Sequence, residues 1–278
     1  MIVNSLELMV PILIAALGGL LTERAGVLNI GLEGLILVGA FAAIVGANLT
    51  GSLLMGAVFG TLAGLALSAL YSVACIELRS NIFVAGLATN LLAAGIVPTV
   101  SALLYGTRGV VRLAVPVSAQ RIAGVSVMVP LAVILAAALH VFLFETPYGI
   151  RLRATGGNPQ ALVARALSPD RYRRFAMLCS GLFAGGAGAA VALRLGVYLP
   201  NISAGRGWIA LVVIFLGMRH PLGILAGAFV FAVFESFAAA AQGFTEVPGT
   251  LLLGLPYLIT LAAMVVYSAL GRHARIER

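Results

Sequence analysis

An all-α bundle of about nine membrane-spanning segments is predicted by three observations. Of 278 residues, 62% are apolar and only 9% are charged, against about 25% charged in a soluble domain. Several runs of 20 or more residues carry no charge at all. Small residues recur at a spacing of four within those runs, as close packing between helices in lipid requires.

The segments follow in chain order. Met1 to Ser5 has no basic residue and Pro11 falls early in the first apolar run, so Leu8–Leu21 is expected to stay as a helix and not to be a cleaved leader. Gly34–Ile76 is 43 residues without a charge, enough for two spans of about 20 residues each, with Asn48-Leu-Thr-Gly51 as the turn. Ser80–Thr107, Ile122–Phe144 and Phe175–Leu193 are further spans. Gly207–Met218 has only 12 residues; it would rise about 18 Å, so it is a half-helix at a broken span or starts upstream near Ile202. Pro221–Ala241 and Val247–Gly271 complete the nine. One transmembrane domain is expected over 1–278, with no soluble domain at either end. Three stripes, Gly56/Gly60/Gly64/Ser68, Gly181/Gly185/Ala189 and Gly223/Gly227, are read as packing surfaces.

The 17 basic residues are all Arg, and the formal net charge is +8. They are scattered through short loops, which points to topology and anionic lipid and not to nucleic acid. The longest polar stretch, 147–174, holds six Arg, and the C-terminal tail holds Arg272, Arg275 and Arg278. Placing both in the cytoplasm puts twelve Arg inside and five outside, with the N-terminus outside. Cys75 and Cys179 lie in apolar runs and are read as small packing residues. With no Lys, no P-loop can form, so the chain is not expected to be an ATPase by itself. His140, His220 and His273 are far apart in sequence and no metal site is expected. Gly31-Leu-Glu33-Gly34 and Ala204-Gly-Arg206-Gly207 each open an apolar run, then a turn and a Gly-rich helix, in opposite membrane directions. That is the pattern of an inverted repeat.

Two stretches carry a family resemblance. Leu21-Thr-Glu23-Arg24-Ala-Gly26-Val-Leu-Asn29-Ile-Gly31-Leu-Glu33-Gly34 resembles the early signature of bacterial ABC permeases for nucleosides and simple sugars. Those belong to the wider group with ribose and branched-chain amino-acid permeases; the chain is similar throughout to the shorter permease of nucleoside importers. Tyr148-Gly-Ile-Arg151-Leu-Arg153-Ala-Thr155-Gly156-Gly157-Asn158-Pro159-Gln160-Ala161 looks like the family's coupling segment. In it Asn158 would cap, and Pro159 would start, a short helix through Ala161 to Leu167 that Ser168-Pro169 ends. Family members usually have Ala-Gly where this chain has Ala166-Leu167.

The resemblance implies a heteromeric importer. It would comprise two permease chains, a cytoplasmic ATPase with two nucleotide-binding halves that alone uses ATP, and an extracytoplasmic substrate-binding lipoprotein. Gly156, Gly157, Asn158, Pro159, Ala161 and Arg165 would contact the ATPase. No cofactor would bind the permease directly.

Polar residues inside the spans are the candidates for the translocation pathway: Asn29, Glu33, Thr89, Asn90, Arg206 and Glu235. Each has a structural alternative. Glu33 would complement the positive N-terminal end of its helix, with Asn29 as cap. Thr89 and Asn90 would hydrogen-bond between helices. Glu235 would face the pathway, pair with an Arg such as Arg206, or stay neutral. Glu23 and Arg24 would form an interfacial pair, and Trp208 an interfacial anchor. A different class of function is a stand-alone secondary carrier or channel using Glu33 and Glu235 as ion sites; ion-driven flux without any ATPase would mark it.

Overall fold

A computed structural model of the chain describes residues 2–116, 121–122 and 125–241. Its helices are α1 (Ile2–Arg24), α2 (Leu32–Thr50), α3 (Leu53–Ser72), α4 (Ile82–Tyr105), α5 (Met128–Glu145), α6 (Pro147–Gly157), α7 (Pro159–Val163), α8 (Pro169–Leu195), α9 (Arg206–Leu216) and α10 (Pro221–Ala241). Seven of them, α1–α5, α8 and α10, are long and apolar enough to cross a membrane; α9 is the short one the sequence marked. The ninth expected span, Val247–Gly271, and the C-terminal tail lie outside the described residues. Two small ribbons pair β1 (Val111–Arg112) with β4 (Val197–Tyr198) and β2 (Arg121–Ile122) with β3 (Val125–Ser126), both antiparallel.

Several boundaries differ from expectation for local reasons. Asn48 to Thr50 are helical; the α2–α3 turn is only Gly51, left-handed at φ 69°, and Ser52, whose hydroxyl accepts the Met55 N–H. The polar stretch 147–174 is mostly helix, because Thr146 caps α6, Pro147 starts it and Pro169 starts α8. The coupling helix stops at Val163 and not at Leu167; Ala166 has a left-handed φ of 56°, which no helix continues through. The tail of α3 widens into a π-helical turn, Val73–Glu77.

Helices α1, α2 and α8 form the interior, while α3, α4 and α5 present apolar faces outward, Leu54, Leu91, Leu103 and Ile134 among them. Lipid chains are as apolar as these side chains, so contact geometry and not the hydrophobic effect must hold the helices together. The glycine stripes supply it. A Cβ on Gly60 would lie 2.7 Å from the Gly39 carbonyl oxygen, and one on Gly56 2.7 Å from that of Ala43, so α3 lies backbone to backbone on α2. Gly64 and Gly185 abut across α3 and α8, and the Ser68 hydroxyl donates to the Met177 carbonyl at 2.6 Å.

Apart from Arg206, which lies within the bundle, the ion-paired arginines gather at two ends of it. At one end Arg219 pairs with Glu23 (3.0 Å) and Arg174 with Glu77 (3.1 Å), around α6 and α7. The expected Glu23–Arg24 pair is replaced: Arg24 instead donates to the Arg219 carbonyl, Nη2 at 2.6 Å and Nε at 3.0 Å. At the other end Arg194 pairs with Glu7 (3.3 Å), and the Asn48 amide donates to the Arg112 carbonyl (3.1 Å).

Candidate functional site

Two helices begin inside the bundle. After α1 the chain turns at Gly26 (φ 77°) and runs as non-helical backbone to Gly31. Here Tyr71 Oη reaches the Leu28 carbonyl (3.4 Å) and Asn90 Nδ2 donates to the Ile30 carbonyl (3.0 Å). Asn90 lies eight residues into α4, about 12 Å along its axis, so α2 starts well within the bundle. From the opposite end the chain passes β4 and comes in through Asn201 (φ 59°), Ala204 (φ 44°) and Gly205 (φ 76°) before α9 starts. Unwound backbone at such depth is stable only when protein or water satisfies it.

The two starts meet, and they are the segments whose sequences suggested an inverted repeat. Gly205 N–H donates to Glu33 Oε1 and Gly207 N–H to Glu33 Oε2, both at 2.8 Å. A helix N-terminus leaves its first N–H groups without partners and carries partial positive charge. Glu33 therefore serves its own helix by position and α9 by direct contact. The fit depends on Gly207, since a Cβ there would collide with the Glu33 backbone nitrogen. Asn90 Oδ1 takes the Gly34 N–H (2.8 Å) in the same way, closing the start of α2 from α4.

The other intramembrane polar groups surround this junction. Asn29 is fully buried; its amide donates to Ser180 Oγ (2.8 Å) and its Oδ1 accepts the Gly31 N–H (3.0 Å), two residues before the capping position. The helix-capping position itself is Gly31, without a side-chain cap. The Thr89 hydroxyl donates back to the Ala85 carbonyl of its own helix (2.8 Å). Arg206 and Glu235 form an ion pair at 2.7 Å, and Arg206 Nη1 also reaches the Ile202 carbonyl at 3.3 Å. Arg206 Nε and Glu235 Oε2 are buried with no hydrogen-bond partner among the described residues. Arg206, with Glu7, Pro11, Ser126 and Arg194, lines a cleft of about 90 Å³ toward the Arg194 end. A small solute needs roughly 300 Å³ or more.

The second site is the elbow between α6 and α7. Asn158 Oδ1 accepts the Ala161 N–H (3.3 Å), and Pro159 is the first residue of α7, as the residue types predict. Leu162 is buried and anchors the elbow, while Gly156, Gly157, Asn158, Ala161 and Arg165 are exposed. Gly156 abuts the Arg24 carbonyl oxygen, and a Cβ on Gly26 would lie 3.0 Å from Gly156 Cα. The elbow thus bears on the end of α1. Tyr148 of α6 stacks on Tyr172 and Phe175 of α8, each at 4.9 Å between ring centroids, which fixes α6 as a rigid piece.

One relation was invisible in the sequence. His140 and His220, 80 positions apart, stand 4.9 Å apart between ring centroids at the elbow end. The sequence leaves the Arg206–Glu235 partnership as one alternative of three and names no partner for Glu33, because backbone N–H groups leave no residue type to recognise.

Comparison with known proteins places the chain as a whole. Residues 1–267 match the family model for the permease component of branched-chain amino acid transport systems. The chain is 31% identical to the guanosine ABC transporter permease protein NupQ of Bacillus subtilis, over 91% of this chain and 87% of that one. It is 30% identical to the nucleoside ABC transporter permease protein NupC of Lactococcus lactis, over 96% and 94% respectively. No solved structure matches the chain. The chain therefore belongs to the branched-chain amino acid transport permease family: it is a multi-pass membrane protein, the permease component of a transport system.

Proposed function

We propose that this chain is one of two membrane-spanning subunits of an ABC importer carrying nucleosides, or a related simple sugar, into the cytoplasm. A separate ATPase with two nucleotide-binding halves docks on the elbow, and an extracytoplasmic lipoprotein delivers the solute. The whole chain, 1–278, is one transmembrane domain, with 147–174 as its cytoplasmic coupling region. The C-terminus is cytoplasmic and the N-terminus outside.

The contact path from the elbow to the buried junction carries this reading. Gly156 bears on Arg24, and Arg24 grips the carbonyl of Arg219 just beyond the C-terminal end of α9. Helix α9 then runs 11 residues, about 16 Å, to Gly207 on the Glu33 carboxylate. ATP-driven closure of the ATPase would push α7, and α9 would pass that displacement to the junction. Among the described residues the 90 Å³ cleft, and an apolar one of about 240 Å³ beside Val38, Phe41, Phe59 and Ile96, both fall short of a small-solute site, which supports a passage formed with the second permease and opened by this movement. The few intramembrane charges are held in pairs or on backbone N–H groups, which suits a neutral solute recognised by hydrogen bonds.

Two measurements test the proposal. Deleting the gene in a strain without a redundant system should abolish radiolabelled nucleoside uptake; unchanged uptake removes the substrate assignment. A cysteine placed at Gly157 should react with an impermeant maleimide in inside-out vesicles and not in intact cells. The opposite pattern removes the docking assignment.

A further inference from the structure

At the elbow end, sharing Arg24 with the contact path, four basic or protonatable groups from four parts of the chain converge on one ring. The guanidinium carbons of Arg153 (α6) and Arg24 (α1) lie 4.4 and 6.0 Å from the Phe144 centroid. The imidazoles of His140 (α5) and His220 (the α9–α10 turn) lie 4.9 and 5.1 Å from it. Arg219 is adjacent, and Glu23 is the acid that faces the group, already paired with Arg219. Glu145, next to Phe144 in sequence, is exposed and makes no ion pair among the described residues.

This concentration of positive charge is incompletely answered. Arg24 spends Nε and Nη2 on the Arg219 carbonyl, and Arg153 spends Nε on the Leu143 carbonyl (2.9 Å). The remaining guanidinium nitrogens, Arg24 Nη1 and both Nη of Arg153, have no acceptor among the described residues. His140 Nδ1 is buried without a partner among the described residues. Donors fixed on a phenyl platform with no acceptor between them form a site for an anion with several oxygens. The flank next to the two histidines in sequence is apolar: Val141, Met218 and Leu222 are 46%, 75% and 52% exposed. A free phosphate gains nothing from that flank, but a phospholipid covers it with its chains while its headgroup meets the cations.

We propose that the cage of Arg24, Arg153, His140 and His220 around Phe144 binds the phosphate of an anionic phospholipid, whose acyl chains lie along Val141, Met218 and Leu222. The site stands apart from the solute and needs only that the chain lie in a bilayer. Its place beside Arg24 and Arg219 puts a bound lipid next to the path from elbow to junction, so the bilayer's anionic content would tune the stiffness of that path.

The full chain, purified and placed in nanodiscs of phosphatidylcholine with phosphatidylglycerol, tests this by native mass spectrometry of the phospholipid it retains. Wild type should keep phosphatidylglycerol in preference to phosphatidylcholine. Arg153→Gln should weaken that retention roughly fivefold, about the effect of one cation near an anionic surface, and Arg153→Lys should largely restore it. Arg112→Gln, the same charge change at the opposite end, should leave it intact. If Arg153→Gln does not fold, His220→Arg keeps the test open, since a permanent charge in the cage must tighten retention. Equal retention in wild type and Arg153→Gln, or no gain from His220→Arg, overturns the proposal. Displacement of the lipid by millimolar inorganic phosphate would overturn the lipid assignment and leave a free-phosphate site in its place.

Discussion

The carboxylate of Glu33 sits across the first turn of α9, taking the N–H groups of Gly205 and Gly207 at 2.8 Å each. One side chain thereby joins two helix starts that lie 172 positions apart in sequence. Removing it leaves two inward donors unsatisfied, and each unsatisfied buried group costs about 1–3 kcal/mol. Glu33→Ala should lower the thermal midpoint of the purified chain and abolish uptake. Glu33→Gln, which keeps one acceptor oxygen, should lie between. A Glu33→Ala protein as stable as wild type would show that the carboxylate does not hold α9.

Gly207 makes the same point from the other partner. A Cβ there meets the Glu33 backbone, so Gly207→Ala should force α9 away at a cost of about 1–3 kcal/mol. Gly95 on α4 has open space where its Cβ would go. Gly95→Ala should be neutral or stabilising by about 0.5–1 kcal/mol. Comparing the two variants in a thermal unfolding assay separates a steric effect from a general intolerance of alanine.

What the sequence disclosed, and what it hid, follows from the range of each interaction. Charge-free runs located the spans because a membrane rewards composition over some 20 residues. Asn158 and Pro159 were legible because capping is local. Glu33 was singled out for its cost in lipid, yet its partners are backbone N–H groups of a distant segment. Asn90 was suspected of bonding between helices, but that it closes α2 depends on where α4 crosses. The π-helical turn at Val73–Glu77 has no residue signature, and the left-handed Ala166, where glycine is usual, closes the end of α7 through Leu167 N–H to the Leu162 carbonyl and Ala166 N–H to that of Val163.

The elbow offers a paired test of coupling. A side chain on Gly156 would strike the Arg24 carbonyl, whereas Gly157 opens into free space. In proteoliposomes holding the assembled transporter, Gly156→Ala should uncouple ATP hydrolysis from uptake, with hydrolysis persisting as uptake falls by more than half. Gly157→Ala should keep both. Equal behaviour of the two variants would argue that force does not pass through the Gly156–Arg24 contact.

Arg206 and Glu235 should behave as a coupled pair. Their side chains are 14% and 28% exposed, so breaking the pair should cost less than the 3–5 kcal/mol of a fully buried one, about 1–3 kcal/mol. Arg206→Gln and Glu235→Gln should each destabilise the chain, and the double variant should recover part of the loss. Strict additivity in that cycle would mean the 2.7 Å contact carries no net energy. Trp208, two residues along α9 and 42% exposed, gives a fluorescence readout of whether the start of α9 has moved in each variant.

His220 brings pH into the same region. Burial first, then the neighbouring His140 and Arg24, hold its imidazole below the ordinary histidine value. Above about pH 6.5 the group is neutral in both folded and unfolded chains. As pH falls from there through the lowered folded value, the unfolded chain takes its proton first, so stability is lost toward acid. In phosphatidylcholine nanodiscs the thermal midpoint of wild type should therefore fall with pH over this window, and His220→Gln should flatten part of the fall. Phosphatidylglycerol should flatten it as well, because a phosphate in the cage favours the charged imidazole. A wild-type midpoint that rises toward acid in phosphatidylcholine would mean that His220 meets an anion from the protein itself.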